Sequence, residues 1–459
     1  MAQAPPADID QRDIADLMAP TVWLGARATL RASSYALAKE NLSVGSGMRN
    51  PLRPLVSSCV AVAVLVGPAA AMMGQNSPQD YPQWRGQNRD GAASAFSKPE
   101  SWPDNLRLRW RVEVGAGYAT PIVVGNTVYA FTRRDGKEGM TALDAETGET
   151  VWRTDYPAPY EMYEGTFDHG EGPKATPLFH NGKLYTLGIS GTISSFDAFS
   201  GTLVWQKPAP RTQPDFGTAS SPIGDRDLVI VQADGYNALT AFEANTGLIK
   251  WTVKNAFRYA SPIIVDLNGT RQVIAITQRS ILGISVADGA VLWEHPWDSP
   301  FVPAITPVLY RGTIIVSGHN RGVMALKPIR RQDKWVVDVV WETQEVSMFL
   351  SNPVVIGDTL FGLSHRNSGQ FFAIDAATGQ VLWLDRPRQA TNTALVKADD
   401  LLFLLNDDAE LIVARSSRTG FEPFKYYSVA DSATWAQPAI SGKRIFIKDL
   451  SWLALWSLD

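Results

Sequence analysis

Side chains that could bind a charged ligand occur together in two short segments of this sequence. Residues 319–321 read His-Asn-Arg and residues 365–367 read His-Arg-Asn. An arginine can bind a carboxylate or a phosphate through two parallel hydrogen bonds. The alternative is that Asn shapes a turn and the arginines are solvated. We predict a ligand or partner contact at His319, Asn320, Arg321, His365, Arg366 and Asn367.

The loop at 156–174, YPAPYEMYEGTFDHGEGPK, is aromatic, acidic and rich in glycine. Loops of this length are often functional. Its carboxylates are the kind of ligand that Ca²⁺ prefers, but the loop has no EF-hand spacing and no HExxH motif, so we predict no metal site. We expect His169, Glu171 and Lys174 at a binding site. A lid packed over a pocket is the alternative.

The residues for several other chemistries are absent from the sequence. Cys59 is the only cysteine, so an intrachain disulfide and a cysteine metal site are excluded. No G-x-S-x-G nucleophile elbow occurs. The net charge is −4 and the chain has no long basic run, which argues against a nucleic-acid partner. We predict no catalytic residue.

An eleven-residue pattern that ends in tryptophan predicts the elements that position these residues. It occurs at 142–152, 195–205, 241–251, 283–293 and 373–383. The steps of about 42–53 residues suit four-stranded blades of a β-propeller. Asp or Asn would cap the hairpin turn, and Gly would take its left-handed position. We expect each tryptophan on an outer strand, packed against a neighbouring blade. These tryptophans are Trp110, Trp152, Trp205, Trp251, Trp293, Trp341 and Trp383.

A second marker, a short segment ending in Ser-Pro, Thr-Pro or, once, Asn-Pro, predicts the number of blades. Six clear copies and two weaker ones make eight. The loops that join blades and the loops between second and third strands should emerge on one face of the ring, here called the funnel face. The hairpins should emerge on the other. We predict that Tyr118, Lys174, Tyr259 and Trp435 line the channel mouth; plugging the channel is the alternative.

The sequence predicts an all-β fold, an eight-bladed β-propeller of four-stranded antiparallel blades over residues 107–459. The eighth unit reaches residue 459 before any fourth strand. The stretch 107–115, RLRWRVEVG, has the pattern of that missing strand, with Trp110 in the place of the repeated tryptophan. We therefore expect the N-terminal strand to complete the last blade. Within the first blade, residues 133–139 (RRDGKEG) are predicted to form a loop.

Residues 48–71 have the pattern of a signal peptide. Arg49 and Arg53 precede an apolar run at 55–66, and Ala-Ala-Ala follows at 69–71. A membrane anchor at 55–73 is the alternative, although Gly67-Pro68 shortens the run below the roughly 20 residues of a span. We expect a periplasmic or secreted protein, with no transmembrane span in its mature form. Residues 72–106 would form a lead-in, and 1–47 a misassigned start or an unstructured extension.

The A-x-D-x-x-[ST]-G-x-x-x-W repeat resembles the tryptophan-docking motif of the PQQ-like β-propeller proteins, where PQQ is pyrroloquinoline quinone. The resemblance covers nearly all of 80–459. It includes the opening YPQWRGQNRDG at 81–91, and the segments at 169–177 and 364–379 are similar to the secreted bacterial subgroup. The resemblance implies one of two functions, because the family contains quinoprotein alcohol dehydrogenases and also BamB-like scaffolds of outer-membrane protein assembly, which use no cofactor.

We predict the scaffold function: an exported, non-catalytic propeller that presents its funnel to a protein, a peptide or a small ligand, without a cofactor. The alternative is a small oxidoreductase that uses PQQ and Ca²⁺ to oxidise alcohols or sugars. The resemblance implies that such enzymes carry a vicinal cysteine pair above the quinone, and this chain has none. No segment matches their Ca²⁺-ligand or catalytic-base motifs.

Overall fold

The structure, a computed structural model, describes most of the chain from residue 80 onward. The described residues are 77, 80–163, 166, 169–211, 213–214, 216–298, 301 and 303–459. The predicted signal peptide at 48–71 and the segment 1–47 lie outside them. The regular elements among these residues are β-strands and a one-turn 3₁₀ helix at Arg366–Ser368. The described part of the chain contains no helix that is long and apolar enough to cross a membrane.

The strands form eight four-stranded antiparallel sheets, which confirms the predicted eight-bladed propeller. Strand β1 is Arg107–Glu113 and belongs to the last blade. Blade 1 contains β2 (Ile122–Val124), β3 (Thr127–Arg134), β4 (Lys137–Asp144) and β5 (Thr150–Pro157). Blade 2 contains β6 (Leu178–His180), β7 (Lys183–Leu187), β8 (Ile193–Asp197) and β9 (Leu203–Lys207). Blade 3 contains β10 (Ile223–Asp225), β11 (Leu228–Ala233), β12 (Ala238–Glu243) and β13 (Ile249–Lys254). Blade 4 contains β14 (Ile263–Leu267), β15 (Thr270–Ile276), β16 (Ser280–Ser285) and β17 (Val291–Pro296).

The second half of the ring repeats this arrangement. Blade 5 contains β18 (Val308–Tyr310), β19 (Thr313–Ser317), β20 (Val323–Arg331) and β21 (Lys334–Thr343). Blade 6 contains β22 (Val354–Ile356), β23 (Thr359–Ser364), β24 (Gln370–Asp375) and β25 (Val381–Leu384). Blade 7 contains β26 (Thr393–Ala398), β27 (Leu401–Asn406), β28 (Glu410–Arg415) and β29 (Glu422–Ser428). Blade 8 contains β30 (Ala439–Ser441), β31 (Arg444–Lys448), β32 (Trp452–Ser457) and β1.

The N-terminal strand closes the ring, as predicted. Strand β1 pairs antiparallel with β32, so that Arg107 lies opposite Ser457 and Glu113 opposite Trp452. Trp110 lies opposite Leu455 and is buried. Backbone hydrogen bonds therefore join the first described strand to the last one, and the eighth sheet has the same four strands as the others.

Each blade buries its faces against its two neighbours. The buried apolar residues divide into eight large clusters, each formed by two adjacent blades. Phe131 of blade 1 packs in one cluster with Phe196 of blade 2, and Tyr185 of blade 2 packs in the next with Phe242 of blade 3. Full burial of a large apolar side chain such as Phe contributes about 1.5–3 kcal/mol. The core is thus a circle of interfaces between blades.

The tryptophan and the glycine of the eleven-residue repeat form a recurring contact at these interfaces. Trp205 of β9 donates from Nε1 to the Ala244 carbonyl of blade 3 at 2.9 Å. Its ring lies against Gly247, where a Cβ would stand 2.7 Å from Cδ2 of the indole. Gly247 also has φ +69°, the left-handed region that favours glycine. The same hydrogen bond to a following blade is made by Trp110, Trp152, Trp251, Trp341 and Trp383.

Trp293 makes a different contact because blade 5 lacks the repeated hairpin. Strands β20 and β21 instead form a longer hairpin, and its Trp335 packs in the same cluster as Trp293. The Trp293 indole donates within its own blade, to Oε1 of Gln272 at 2.7 Å. Gly283 leaves room for this rotated ring, since a Cβ there would lie 2.1 Å from it.

The Ser/Thr-Pro markers form hydrogen bonds between the inner edges of successive blades. The Thr120 N–H donates to Oγ1 of Thr176 at 3.2 Å, and the Thr176 N–H donates to Oγ of Ser221 at 3.0 Å. The Gln437 N–H of blade 8 donates to Oγ1 of Thr120 at 3.1 Å. A hydroxyl at this place therefore satisfies a buried N–H of the preceding blade. The proline that follows has no N–H, so no hydrogen-bond acceptor is needed at its position.

The prediction of a loop at residues 133–139 is wrong. Strands β3 and β4 continue through this stretch to Arg134 and from Lys137, and only Asp135 and Gly136 turn. Both turn residues have positive φ, 48° and 71°. A two-residue Asp-Gly turn of this kind matches the twist of a hairpin and lets its strands extend.

The lead-in forms a plug, residues 80–97, that contacts every blade. Tyr81 exchanges backbone hydrogen bonds with Val123, and the Pro82 carbonyl accepts from the Phe179 N–H. Gly91 and Ala93 bond to the backbone of Lys397. Its partners are Val123 in blade 1, Phe179 in blade 2, Ser221 in blade 3, Pro262 in blade 4, Thr306 in blade 5, Pro353 in blade 6, Lys397 in blade 7 and Gln437 in blade 8.

Two buried arginines of the plug bridge the blades through backbone carbonyls. Arg89 donates to the carbonyls of Ser221, Pro222 and Pro262 at 2.9, 2.8 and 2.6 Å. Arg85 donates to the Pro353 carbonyl at 2.5 Å. Burial lowers the pKa of Arg89 to about 9 and that of Arg85 to about 10. Both arginines have positive φ, 57° and 62°, a strained conformation that the surrounding contacts must stabilise.

We expect Gly247→Ala to destabilise the propeller more than Gly312→Ala. Both positions have positive φ, +69° and +76°, so each alanine incurs the left-handed cost of about 1–2 kcal/mol. A Cβ at Gly312 meets nothing within 4 Å, whereas one at Gly247 meets the Trp205 ring. Overpacking should add about 1–3 kcal/mol to the Gly247 variant. Urea unfolding of both variants measures the difference; equal losses would contradict the packing role of this glycine.

Candidate functional site

A pocket lies on the propeller axis at the funnel face, and its volume is about 170 Å³. The blade-joining segments form its wall, and Trp84 of the plug reaches it from within the channel, where Nε1 donates to Oγ1 of Thr306 at 3.0 Å. The lining residues are Trp84, Tyr118, His169, Lys174, Phe216, Ala219, Tyr259, Ser261, Ala304, Leu350, Asn352, Asn392 and Trp435. The structure therefore brings together the predicted residues Tyr118, His169, Lys174, Tyr259 and Trp435.

Aromatic rings form a continuous belt around one side of this pocket. Tyr118 stacks on Trp435 with the ring centroids 5.6 Å apart, and the edge of His169 meets Trp435 at 4.7 Å. His169 also contacts Phe216, which contacts Tyr259 at 6.3 Å. We call these five residues the aromatic belt. Edge-to-face and offset contacts of this kind hold the rings in fixed orientations.

Lys174 is the one cationic side chain in the described lining. Its Nζ donates to the Phe216 carbonyl at 2.6 Å. Burial lowers the pKa of Lys174 to about 8, and no acidic group raises it. The described lining contains no Asp and no Glu. Glu171, predicted with Lys174, is exposed instead and lies 3.4 Å from Nε of Arg133.

Of the eight lining residues that were not predicted as site residues, Trp84 and Phe216 lie outside the markers. Trp84 lies in the lead-in, to which no pocket role was assigned, and Phe216 precedes the third marker by a few residues. Asn352 and Asn392 occupy the markers of blades 6 and 7. Asn352 takes the Ser/Thr place, and its Oδ1 accepts from the Thr306 N–H at 2.7 Å. The replacement of a hydroxyl by an amide in an otherwise regular marker is the signal that could have identified it.

The two histidine segments meet at a second place, the loops of blades 5 and 6. The rings of His319 and His365 stack with their centroids 4.2 Å apart. Phe301 and Phe349 contact His319 by their edges at 4.2 and 4.8 Å. His319 is 6% exposed, and burial lowers its pKa to about 4. Nε2 of His365 lies 3.1 Å from Oδ1 of Asn320.

The neighbouring polar side chains are already paired with groups in or next to blades 5 and 6. Arg321 pairs with Glu342 at 2.9 Å and lies over the Trp297 ring at 4.9 Å. Arg366 donates to the Gln344 carbonyl. Asn367 has positive φ and donates to Gln370. None of the six residues of the two histidine segments is in the described lining of the axial pocket.

The histidine pair should make the propeller less stable in mild acid. The folded-state pKa of His319, about 4, lies below the usual 6.5. Between these values the unfolded chain binds a proton that the folded chain does not, so stability is lost as the pH falls from 6.5 towards 4. We expect His319→Phe to reduce the loss between pH 7.5 and pH 5 by up to about 2 kcal/mol.

Urea unfolding at the two pH values measures this loss. His295→Phe is the matched control, because His295 lies on the outer strand β17 and is only partly buried. Its replacement should change the pH dependence less. The same pH dependence in the native chain and in His319→Phe would contradict the role of the stacked pair.

A family model described as "Outer membrane protein assembly factor BamB" matches residues 104–167 and 137–385, more than half of the chain. The quinone-dependent alcohol dehydrogenase subunit of Komagataeibacter europaeus is 25% identical over 315 residues, 61% of this chain and 41% of that protein. The assembly factor BamB of Burkholderia pseudomallei is 24% identical over 190 residues, 41% of this chain and 47% of that protein. The chain thus spans less than half the length of these two curated relatives.

Solved structures of both kinds share the fold. BamB from Moraxella catarrhalis superposes with a TM-score of 0.56 at 13% identity, covering 77% of this chain and 97% of that one. The quinohemoprotein alcohol dehydrogenase from Comamonas testosteroni superposes with a TM-score of 0.61 at 12% identity, covering 84% and 81%. With the eight blades and their repeat, these matches establish that the chain belongs to the PQQ-like β-propeller family whose model is described as outer membrane protein assembly factor BamB.

Proposed function

We propose that this chain is a non-catalytic binding protein whose funnel face holds a protein, a peptide or a small ligand. The observation that carries the proposal is the chemistry of the axial pocket. Aromatic rings, two amides and one lysine surround a preformed space, and the described lining has no carboxylate. A binding site needs a concave apolar surface with a few convergent polar groups, and this pocket has both. The assembly-factor description of the family model supports the same function.

A second candidate, PQQ-dependent oxidation of an alcohol or sugar, is favoured by the quinone-dependent dehydrogenases among the relatives. That chemistry needs flat groups around the quinone, a divalent cation and a carboxylate base. The rings of Trp84 and Trp435 could serve as the flat groups around the quinone. The described lining supplies no carboxylate, and the described residues contain no group of three His, Cys, Asp or Glu side chains that could hold a metal ion. These residues do not fit the cofactor, so we assign no step to it.

A direct test separates the two candidates. The purified chain is mixed with PQQ and CaCl₂, and dye reduction is followed with a panel of alcohols and sugars. We expect no turnover above a control without protein. Turnover would overturn the binding function and establish the oxidoreductase.

The binding function itself predicts a difference between the two faces. A photo-crosslinking residue at Leu350, in the pocket lining, should capture a partner in cells that express the chain. The same residue at Glu146, exposed in the hairpin of blade 1, is the matched control and should capture much less. Equal capture from both positions would contradict a partner site at the funnel face.

We also propose that the protein works outside the cytoplasm, supported by the signal-peptide pattern at 48–71. Cleavage after Ala71 would leave Met72 as the first residue. Mass measurement of the exported protein tests this directly. An N-terminus at Met1 or Met48 would contradict the proposed cleavage.

A further inference from the structure

The charge balance of the axial pocket points to an anionic ligand. Lys174 donates one hydrogen bond, to the Phe216 carbonyl, and an ammonium group has three donors. Lys174 forms no ion pair with any described residue. A cation that is largely removed from water without a counter-ion is costly, and an incoming carboxylate would offset that cost.

The other polar groups of the lining also favour a ligand that accepts hydrogen bonds. Oδ1 of Asn392 already accepts from the Ser351 hydroxyl at 2.7 Å, which leaves the amide nitrogen as the group available for the pocket. Oγ of Ser261 accepts from the Ser221 N–H at 3.0 Å, so its remaining hydrogen can be donated. With Lys174, these groups present donors. A carboxylate is an acceptor only and matches them.

The shape of the pocket restricts the rest of the ligand. An apolar cavity of about 150 Å³ holds one benzene molecule, and this pocket has about 170 Å³. Its wall includes the aromatic belt, with Leu350 and Ala304 on the opposite blades. Ring-to-ring contacts contribute about 0.5–1.5 kcal/mol beyond the area that they bury. One aromatic ring with a short acidic chain fits both the volume and the wall.

We propose that the axial pocket binds a small aromatic carboxylate, with its acid group on Lys174 and its ring against the aromatic belt. This inference depends on the proposed binding function and names the class of ligand. The carboxylate could belong to a free acid or to the C-terminal aromatic residue of a peptide, and the pocket volume favours the free acid.

Calorimetric titration of the full chain at pH 7 tests the proposal with defined probes. The probes are 3-phenylpropionate, its neutral isostere 3-phenylpropanamide, and a tetrapeptide ending in Phe with a free or an amidated C-terminus. We expect the acid to bind at least ten-fold more tightly than the amide. Binding of the free acid more weakly than the peptide acid would overturn the assignment to a small molecule.

Two variants locate the site. Lys174→Met should weaken binding of the acid at least ten-fold and leave the affinity for the amide unchanged. Lys250→Met removes an exposed lysine of the outer strand β13 and should change neither the affinity for the acid nor that for the amide. Leu350→Trp should fill the pocket and abolish binding of every probe. Equal affinity for acid and amide, or unchanged acid binding in Lys174→Met or Leu350→Trp, would overturn the proposal.

The pH provides a readout that needs no variant. Lys174 loses its proton above about pH 8, so the acid should bind more weakly at pH 9.5 than at pH 7. The amide reports any effect of the other titratable groups in the pocket, His169, Tyr118 and Tyr259. The same loss for both probes would contradict the pairing with Lys174. If no acid binds while crosslinking remains specific for position 350, the ligand class fails and the binding function stands.

Discussion

No blade of this propeller can bury both of its faces alone, and that constraint determines the rest of the structure. The apolar core consists of eight clusters, each shared by two blades. A stack of such sheets would leave its two terminal faces exposed to water. The pairing of β1 with β32 removes those faces by joining the first and the last described strand in one sheet. The inter-blade bonds of the tryptophans and of the hydroxyl markers act on the same interfaces.

The axial pocket is a product of this closure. Its wall is built from the segments that lead into successive blades, so no single blade contains it. Each segment is held at its inner end by a hydrogen bond to a neighbouring blade, as in the contact of Thr306 with Asn352. Trp84 comes from outside the repeats and completes the lining. A site supported by packed strands and by a second layer of hydrogen bonds keeps its geometry when empty.

The repeats in the sequence made the fold predictable, whereas the features that depart from the repeats could not be predicted. Five clear copies of one hairpin determined the blade, and the truncated eighth unit indicated closure by Trp110 and its strand. The register within the marker grouped Tyr118, Lys174, Tyr259 and Trp435, and the structure has all four in the lining of one pocket. Trp84, Arg85 and Arg89 occur once, so no period indicates that they enter the channel. The contact of Trp293 with Gln272 depends on the irregular hairpin of blade 5, and its geometry follows only from the packed neighbours.

The plug imposes an order on biosynthesis. Residues 80–97 emerge from the ribosome before any blade, yet their partners extend to Gln437 in blade 8. Strand β1 likewise pairs with β32 of the eighth blade. These early segments cannot reach all of their native contacts until blade 8 has been translated. Folding dominated by such distant pairings is slow. Until then the nascent chain exposes an unpaired strand edge and a Trp-containing segment, both of which favour aggregation. The chain therefore needs the protection of a chaperone most before the ring closes.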